Sequence, residues 1–216
     1  MKPFFVTSSG TGIGKTLVTA ALCHQLVAAG RTVRAIKPVI SGYSTDTQNE
    51  SDTAVLLDGL GLPHDMTNIE RMSPFRFEAP LSPDMAATRE GKEIDFDALL
   101  SHCRTAAGGP EDILLIEGVG GVMVPLTEDK TVLDWITALA TPCLLVVGSY
   151  LGTISHTLTA VEALRAQDAS ITAIVISESE ESPVPPAETK ETIGRFLPGI
   201  PIAILPRLGG EEPWRH

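Results

Sequence analysis

Residues 7–16 read Thr-Ser-Ser-Gly-Thr-Gly-Ile-Gly-Lys-Thr, a set of residue types that can bind phosphate. They lie between two apolar runs, one typical of a strand at 4–6 and one typical of a helix at 17–22. Small residues let backbone N–H groups turn inward, and the start of the helix adds free donors and the positive end of its dipole. Lys15 can then reach the outer phosphates of a nucleotide, and the Thr16 hydroxyl can ligate Mg²⁺. The P-loop pattern G-x-x-x-x-G-K-[ST] is met except at its first glycine, which is serine here.

A second lysine, Lys37, ends the next apolar run, at residues 33–37. A lysine in that position often only extends its charged end to the surface. Here Pro38 fixes the chain direction, and Ser41-Gly42 follow with a further polar contact. We expect Lys15 and Lys37 to come from adjacent strand ends and to flank one phosphoryl group. That arrangement suits phosphoryl transfer, which depends on positioning and on neutralising charge.

Two acidic residues are candidates for the metal. Glu117 ends the apolar run 113–116, where a carboxylate is either an exposed strand terminus or a metal ligand. We favour the ligand, because Mg²⁺ sites commonly combine one or two carboxylates with phosphate oxygens. Asp52 follows Ser51 at the start of a predicted helix. Spacing alone leaves it as either a helix cap or the second carboxylate.

Composition narrows the classes of function. The 216 residues include 43% hydrophobic residues and carry a net charge of −11, which argues against a nucleic-acid partner because such partners need a basic surface. The three cysteines are widely spaced in apolar surroundings, which predicts reduced core thiols of an intracellular protein. Neither a signal peptide nor an apolar stretch of bilayer length is visible. We expect a cytoplasmic protein without a membrane partner.

Apolar runs of strand length alternate with helical stretches along the chain. We predict strands at 4–7, 33–37, 113–116, 143–147, 171–176 and 200–205, and helices at 14–29, 52–60, 84–90, 95–107, 133–139 and 153–167. Residues 62–83 contain four prolines and are predicted as loop. Continuously apolar strands between helices indicate an α/β fold, a doubly wound, mainly parallel sheet with helices on both faces. We expect one domain over 1–216, with an acidic, proline-rich surface loop at 178–187 and a short tail at 209–216. Ligands of such sheets bind at the carboxyl ends of the strands.

The ordered motifs of residues 3–208 resemble the dethiobiotin synthetases, P-loop cyclo-ligases that use ATP in the penultimate step of biotin synthesis. The motifs are Phe5-Val6-Thr7 through Thr11 to Gly14-Lys15-Thr16, Lys37-Pro38-Val39 with Ser41-Gly42, Ser51-Asp52, Glu117-Gly118-Val119-Gly120-Gly121 with Pro125-Leu126, Asp134-Trp135, Val146-Val147-Gly148, and Leu151-Gly152 with Ser155-His156. Any one of them occurs in other P-loop proteins. Their common order covers nearly the whole chain.

The resemblance implies both a reaction and a set of site residues. The substrates would be 7,8-diaminopelargonate and CO₂ with MgATP, and the reaction would pass through a carbamate and a carbamic-phosphoric anhydride. Catalytic roles would fall to Lys15, Lys37 and Thr11. Magnesium would be held by Thr16, Asp52 and Glu117. Nucleotide contacts would come from Gly12, Ile13, Gly14, Lys15, Thr16, Leu17, Asp52, Glu117, Gly118, Gly120, Ser177, Pro206, Arg207 and Leu208. Substrate contacts would come from Ser41 and from Gly152, Thr153, Ile154 and Ser155 of a neighbouring subunit, so the resemblance implies a homodimer.

The chain departs from the family pattern at several positions. Ser8 and Gly10 stand where the phosphate loop usually has Gly and Asp. Ser177 replaces the asparagine that reads the adenine edge, and one hydroxyl offers less than an amide with both a donor and an acceptor. We therefore expect a relaxed preference for ATP. Tyr150 replaces a residue that is often lysine, and Thr189 falls where a tyrosine contacts the substrate carboxylate.

Two other functions compete with the ligase. An amidoligase of the cobyrinic-acid type would need a glutaminase domain, for which the chain has no room. A ParA- or MinD-like ATPase switch that dimerises on ATP usually carries a lysine early in its phosphate loop. Positions 8–13 contain no lysine, so the ligase is favoured.

Overall fold

The fold is built around a six-stranded sheet, seen in a computed structural model that describes residues 1–210 and Trp214. The strands are β1 (Lys2–Ser8), β2 (Val33–Ile36), β3 (Val39–Ser41), β4 (Phe75–Phe77), β5 (Ile113–Glu117), β6 (Cys143–Val147), β7 (Ile171–Ser177) and β8 (Ile202–Leu205). The helices are α1 (Lys15–Ala28), α2 (Asp52–Leu60), α3 (Met66–Met72), α4 (Pro83–Arg89), α5 (Phe96–Ala107), α6 (Val132–Leu139), α7 (Thr153–Arg165) and α8 (Pro186–Phe196).

The large sheet is covered on both faces, as its apolar strands predict. Its order is β2-β5-β1-β6-β7-β8 and every pairing within it is parallel. Leu114 and Ile116 of β5 join one hydrophobic cluster with residues of α5–α8, whereas Leu115 between them joins another cluster with Cys23 of α1. Because neighbouring side chains of a strand point to opposite faces, this split means that helices cover each face. The predicted doubly wound α/β class is confirmed.

The strand order corrects one expectation about the two lysines. Strand β5 pairs with β1 on one side and with β2 on the other, so β1 and β2 are not neighbours. Lys15 and Lys37 therefore do not come from adjacent strand ends. Glu117, the last residue of β5, lies between the loops that carry them. This places a carboxylate at the centre of the predicted site.

The segment 62–83 was predicted as loop, and that prediction is wrong in two places. Helix α3 begins after Asp65, whose side chain accepts a hydrogen bond from Asn68 N (2.8 Å). Strand β4 follows and pairs in parallel with β3, so that Ser41 lies opposite Phe77. Only Ile69 and Met72 of α3 are buried, so the helix carries too little apolar periodicity to be recognised among prolines.

Helix α8 is a further element that the sequence did not predict. Only Thr189 and Ile193 of its eleven residues are buried, so its pattern is mostly polar. It begins at Pro186, and the last two residues of the predicted 178–187 loop are therefore helical. Thr189, the position where the family has a tyrosine, is one of these two buried residues of the helix. Of the predicted 209–216 tail, residues 209, 210 and Trp214 are described, and Trp214 packs in a cluster with residues of α1 and α2; the other tail positions lie outside the described residues.

The core matches the expected reduced interior. Phe5 and Trp135 pack edge to face at its centre, with ring centroids 4.8 Å apart. Cys23, Cys103 and Cys143 are free and buried, and burial raises the pKa of each thiol to about 12. Over residues 1–210, no helix has both the length and the apolar character to cross a membrane.

Candidate active site

The phosphate loop connects β1 to α1 and has the backbone form expected of it. Gly12 and Gly14 adopt positive φ values of 71° and 86°, and Gly14 is the residue before the first turn of α1. A side chain at Gly14 would also lie 2.5 Å from Ser177 Oγ, so glycine is required there on two grounds. Ser9, at the position where the P-loop pattern has glycine, keeps a negative φ, and its N–H donates to the Val146 carbonyl (3.1 Å). The serine therefore fits without backbone strain.

Lys15 is buried beneath this loop. Its Nζ donates to Ser8 Oγ (3.3 Å), and Ser8 Oγ lies 2.6 Å and 2.9 Å from the carbonyls of Gly10 and Gly120. Burial, and after it the positive charge of Lys37, lower the pKa of the Lys15 ammonium to about 8. Within the described part of the chain, no carboxylate lies at ion-pair distance from Lys15. A bound phosphate would supply the negative charge that this ammonium lacks.

Lys37, in contrast, is held between two carboxylates. Its Nζ lies 2.8 Å from Glu117 Oε1 and 3.0 Å from Asp52 Oδ2, and it also donates to the Gly118 carbonyl (3.3 Å). Burial alone would lower the pKa of this ammonium, but Glu117 and Asp52 outweigh burial and raise it. Burial would raise the pKa of the Asp52 carboxyl, and Lys37 outweighs that effect and lowers it. Both groups are therefore charged at neutral pH.

The structure decides between the two roles left open for Asp52. Ser51 is the cap of α2, because its side chain accepts a hydrogen bond from Ala54 N (3.3 Å). Asp52 is thus the first residue inside the helix, and its carboxylate is free to face Lys37. It is a site carboxylate and not the cap.

The oxygens around Glu117 fit a magnesium ion. Thr16 Oγ1 donates to Glu117 Oε1 (2.7 Å), while Glu117 Oε2 is buried and finds no hydrogen-bond partner among the described residues. A buried carboxylate oxygen without a partner is costly unless a cation or donor compensates it. Mg²⁺ prefers oxygen ligands and commonly takes one or two carboxylates with phosphate oxygens. The residues present, Thr16, Glu117 and Asp52, fit that donor set.

These side chains open into one cavity of about 290 Å³. It is lined by predicted site residues and by two that the sequence analysis did not single out: Thr11, Gly12, Ile13, Gly14, Lys15, Thr16, Lys37, Ser41, Asp52 and Gly120, with Ile40 and Val119. The two additions lie inside the Lys37–Gly42 and Glu117–Gly121 runs, so their position between recognised residues was the available signal. Leu17 does not line the cavity and packs instead against the cluster of α1 and α2.

The predicted base-binding residues lie beside the cavity and not in its lining. Ser177 ends β7 opposite Leu205 of β8, with its hydroxyl against Gly14. Pro206, Arg207 and Leu208 follow β8. The Arg207 N–H donates to Glu178 Oε2 (2.9 Å), which ties the loop after β8 to the loop after β7. Their contact with a base remains a prediction.

The predicted substrate segment at the start of α7 also lies outside the phosphate cavity of the same chain. Thr153 is buried, and its hydroxyl donates to the Gly148 carbonyl (2.8 Å). Gly152, Ile154 and Ser155 do not line that cavity either. A second cavity, of about 340 Å³, separates α7 from the phosphate loop and is lined in part by Thr11 and His156. Within one chain, the structure therefore does not bring residues 152–155 to the lysines.

The chain is similar to known proteins over nearly its whole length. A family profile described as an AAA domain matches residues 2–212. The chain is 47% identical over 215 residues to an ATP-dependent dethiobiotin synthetase BioD of Methylobacterium nodulans, covering 97% of this chain and 95% of that protein. It is 48% identical over 208 residues to the protein of the same name from Acidiphilium cryptum, covering 95% and 92%.

A solved structure shares the fold at much lower identity. A chain of the MinC:MinD cell division protein complex of Aquifex aeolicus aligns with a TM-score of 0.59 and 17% identity, over 95% of this chain and 81% of that one. At this identity the likeness concerns the P-loop fold alone. The near-complete relatives decide the family, and the chain belongs to the dethiobiotin synthetases.

Proposed function

We propose that this protein is an ATP- and Mg²⁺-dependent dethiobiotin synthetase that joins 7,8-diaminopelargonate and CO₂ into a cyclic urea. The observation that supports this most directly is the meeting of Lys15, Lys37, Thr11 and Ser41 in one cavity, next to the carboxylates of Asp52 and Glu117. The relatives named for this activity cover nearly the whole chain.

The proposed reaction has three steps. One amine of the diamine adds to CO₂, loses a proton and becomes a carbamate. A carbamate oxygen attacks the γ-phosphorus of ATP, and ADP leaves. The second amine then attacks the carbonyl carbon of the carbamic-phosphoric anhydride, loses a proton and expels phosphate, which closes the ring.

Each charged side chain has a task in this sequence. Lys15 lacks a carboxylate partner in the described chain and neutralises charge on the transferred phosphoryl group. Lys37 stabilises the carbamate and the same phosphoryl group, with Thr11 and Ser41 beside the carbamate. Thr16, Asp52 and Glu117 would hold Mg²⁺, which when bound supplies neutralising charge to the phosphate oxygens. In this reaction no side chain forms a covalent bond, so the protein would act by positioning the substrates and neutralising their charge.

We further propose that the active enzyme is a homodimer. Residues Gly152–Ser155 begin α7, where the N–H groups of Ile154 and Ser155 have no backbone partner among the described residues, which suits the carboxylate of a substrate. They lie outside the phosphate cavity of their own chain, so they would serve the site of the partner.

The deciding experiment supplies the diamine, bicarbonate and MgATP and detects the cyclic urea by mass spectrometry. Phosphate release is measured with and without the diamine, and the Lys37→Gln variant provides the matched control. We expect the urea to form and phosphate release to depend on the diamine. Slow ATP hydrolysis that ignores the diamine, with no urea formed, would instead indicate an ATPase switch.

A further inference from the structure

A cavity of about 680 Å³ lies away from the phosphate site, at the free edge of β2. Helices α2 and α3 form one wall and α5 forms the other, because the helices on the two faces of the sheet diverge beyond its last strand. Its surface is mainly apolar, with contributions from Val33, Ile36, Leu57, Leu60, Met72 and Ala106. The volume falls in the range of cavities that bind small organic ligands. We call it the edge cleft.

Unpaired backbone groups face this edge cleft. The Lys37 N–H points away from β5 and donates to the Met72 carbonyl (3.0 Å). Since backbone groups alternate in direction along a strand, the N–H and C=O of Val33 and Ala35 point the same way, into the edge cleft. No backbone partner for them occurs among residues 1–210. Polar ligand atoms would therefore meet donors and acceptors at the floor.

The charged groups of the edge cleft leave one cation without a partner. Arg34 is neutralised by Glu111, whose Oε1 lies 3.0 Å from Arg34 Nε and 2.6 Å from Nη2. Arg71 ends α3 at the cleft, and in the described chain no carboxylate lies at ion-pair distance from it. His102 lines the opposite wall, and its Nε2 is buried without a hydrogen-bond partner there. One guanidinium without a carboxylate partner in the described chain and one ring with an unpaired Nε2 thus line the same mainly apolar cavity, in a protein with net charge −11.

We propose that the edge cleft binds a medium-chain aliphatic carboxylate. The hydrocarbon would lie against the leucine and valine side chains, and the carboxylate would pair with Arg71 and accept from His102. A guanidinium binds a carboxylate through two parallel N–H donors, which suits a single arginine beside apolar surface. The apolar lining argues against a strongly hydrated dianion such as free phosphate, since burying that charge needs more than one cation.

Octanoate is the probe that tests this inference, with calorimetry for affinity and NMR for the His102 ring. Both are recorded without ATP or diamine, so failure here would not bear on the proposed ligase activity. We expect saturable binding of octanoate, no comparable binding of octylamine, and a higher pKa of His102 in the complex, because the carboxylate favours the protonated ring. Burial lowers the pKa of the His102 ring in the protein without ligand, so a rise in that pKa on binding octanoate can be measured.

Three variants make the test specific. Arg71→Gln should weaken octanoate binding at least about tenfold, the loss expected for one charge-assisted pair. Arg89→Gln, an exposed arginine at the end of α4, should bind like the wild type. Ala106→Leu should fill the apolar part and abolish binding while Arg71 is intact. Absence of saturation with the wild type, equal binding of octylamine, or unchanged affinity in both Arg71→Gln and Ala106→Leu would overturn the inference.

Discussion

Lys37 is the side chain on which most of the site's charge balance depends. It is only 3% exposed and contacts the carboxylates of Glu117 and Asp52 together. The buried carboxylate of Glu117 and the half-exposed carboxylate of Asp52 would repel each other, and the ammonium between them offsets that repulsion. The same ammonium faces the cavity that Lys15 lines. Lys37 therefore connects the acidic and the basic halves of the site.

Replacing Lys37 by glutamine should lower turnover by about 10² or more, the effect of deleting one charge-stabilising donor. Steady-state kinetics with the diamine, bicarbonate and MgATP measures it. The variant Lys130→Gln is the control, because that lysine pairs only with neighbouring Asp129 on the surface (2.9 Å). A near-normal rate for Lys37→Gln would remove Lys37 from the proposed mechanism.

Ser177 is predicted to affect a second property at this scale, the choice of nucleotide base. Its single hydroxyl lies against Gly14 and offers a base less than an amide would. We expect GTP and CTP to support the reaction, and Ser177→Asn to raise the preference for ATP about five- to tenfold, the value of one added hydrogen bond. Competition assays with the three nucleotides measure this. Inert GTP and CTP beside tight saturation by ATP in the wild type would show the inference to be wrong.

Helix α6 shows what a single element contributes to stability, because its first residues are well capped whereas its last turn ends in an unfavourable backbone conformation. At its start, Thr131 and Asp134 form a reciprocal capping box, with Thr131 N donating to Asp134 Oδ2 (2.8 Å). At its end, Ala140 adopts a left-handed conformation with φ 48°. The start is stabilised by its side chains, whereas the end carries backbone strain that glycine would relieve.

Ala140→Gly should therefore stabilise the protein by about 0.5–1 kcal/mol, despite the greater freedom of glycine in the unfolded chain. Urea unfolding followed by circular dichroism measures the difference. Ala138→Gly is the matched control two residues earlier: it lies inside the helix and should destabilise by about 1 kcal/mol. The same sign for both variants would contradict the strain argument.

The capping box predicts a dependence of stability on pH. Burial would raise the pKa of Asp134, but its hydrogen bonds from Thr131 outweigh burial and lower it. A carboxyl with a lowered folded pKa contributes stability above its unfolded value, about 3.9, and loses that contribution as pH falls through the folded pKa. Asp134→Asn should cost about 1 kcal/mol at pH 7 and nothing measurable below the folded pKa. Denaturant unfolding at several pH values tests this, and a cost independent of pH would refute it.

At the scale of the whole molecule, two large apolar side chains near α7 are exposed. Leu151 is 86% exposed directly before Gly152, and Met123 is 59% exposed near the cavity between α7 and the phosphate loop. Exposed apolar side chains of this size are typical of the residues that a protein interface covers. A second copy of the chain would cover them and bring residues 152–155 to the partner's site, as the proposed homodimer requires.

Leu151→Asp should shift the protein from dimer to monomer in analytical ultracentrifugation and abolish urea formation. A buried carboxylate without a partner would cost more than the apolar contact it replaces. Val184→Asp, an exposed apolar residue in the loop after β7, should leave both mass and activity unchanged. A monomer that retains full activity would rule out a site shared between subunits.

Much of this protein could be read from local sequence patterns, because these fix local structure. Continuous apolar runs predicted the strands of the large sheet, and the glycine-rich loop predicted the turn and the start of α1. Helices α3 and α8 and strand β4 were not predicted, because the packing that stabilises them leaves no periodic pattern in the sequence.

The geometry of the site belongs to the tertiary structure. Spacing could not decide whether Asp52 caps a helix, nor that β5 would lie between β1 and β2. Only that strand order brings Glu117 to Lys37, eighty positions earlier in the chain. Residue types and local runs determined the chemistry and the fold class, whereas contacts between distant segments depend on how strands pair, which no short pattern encodes.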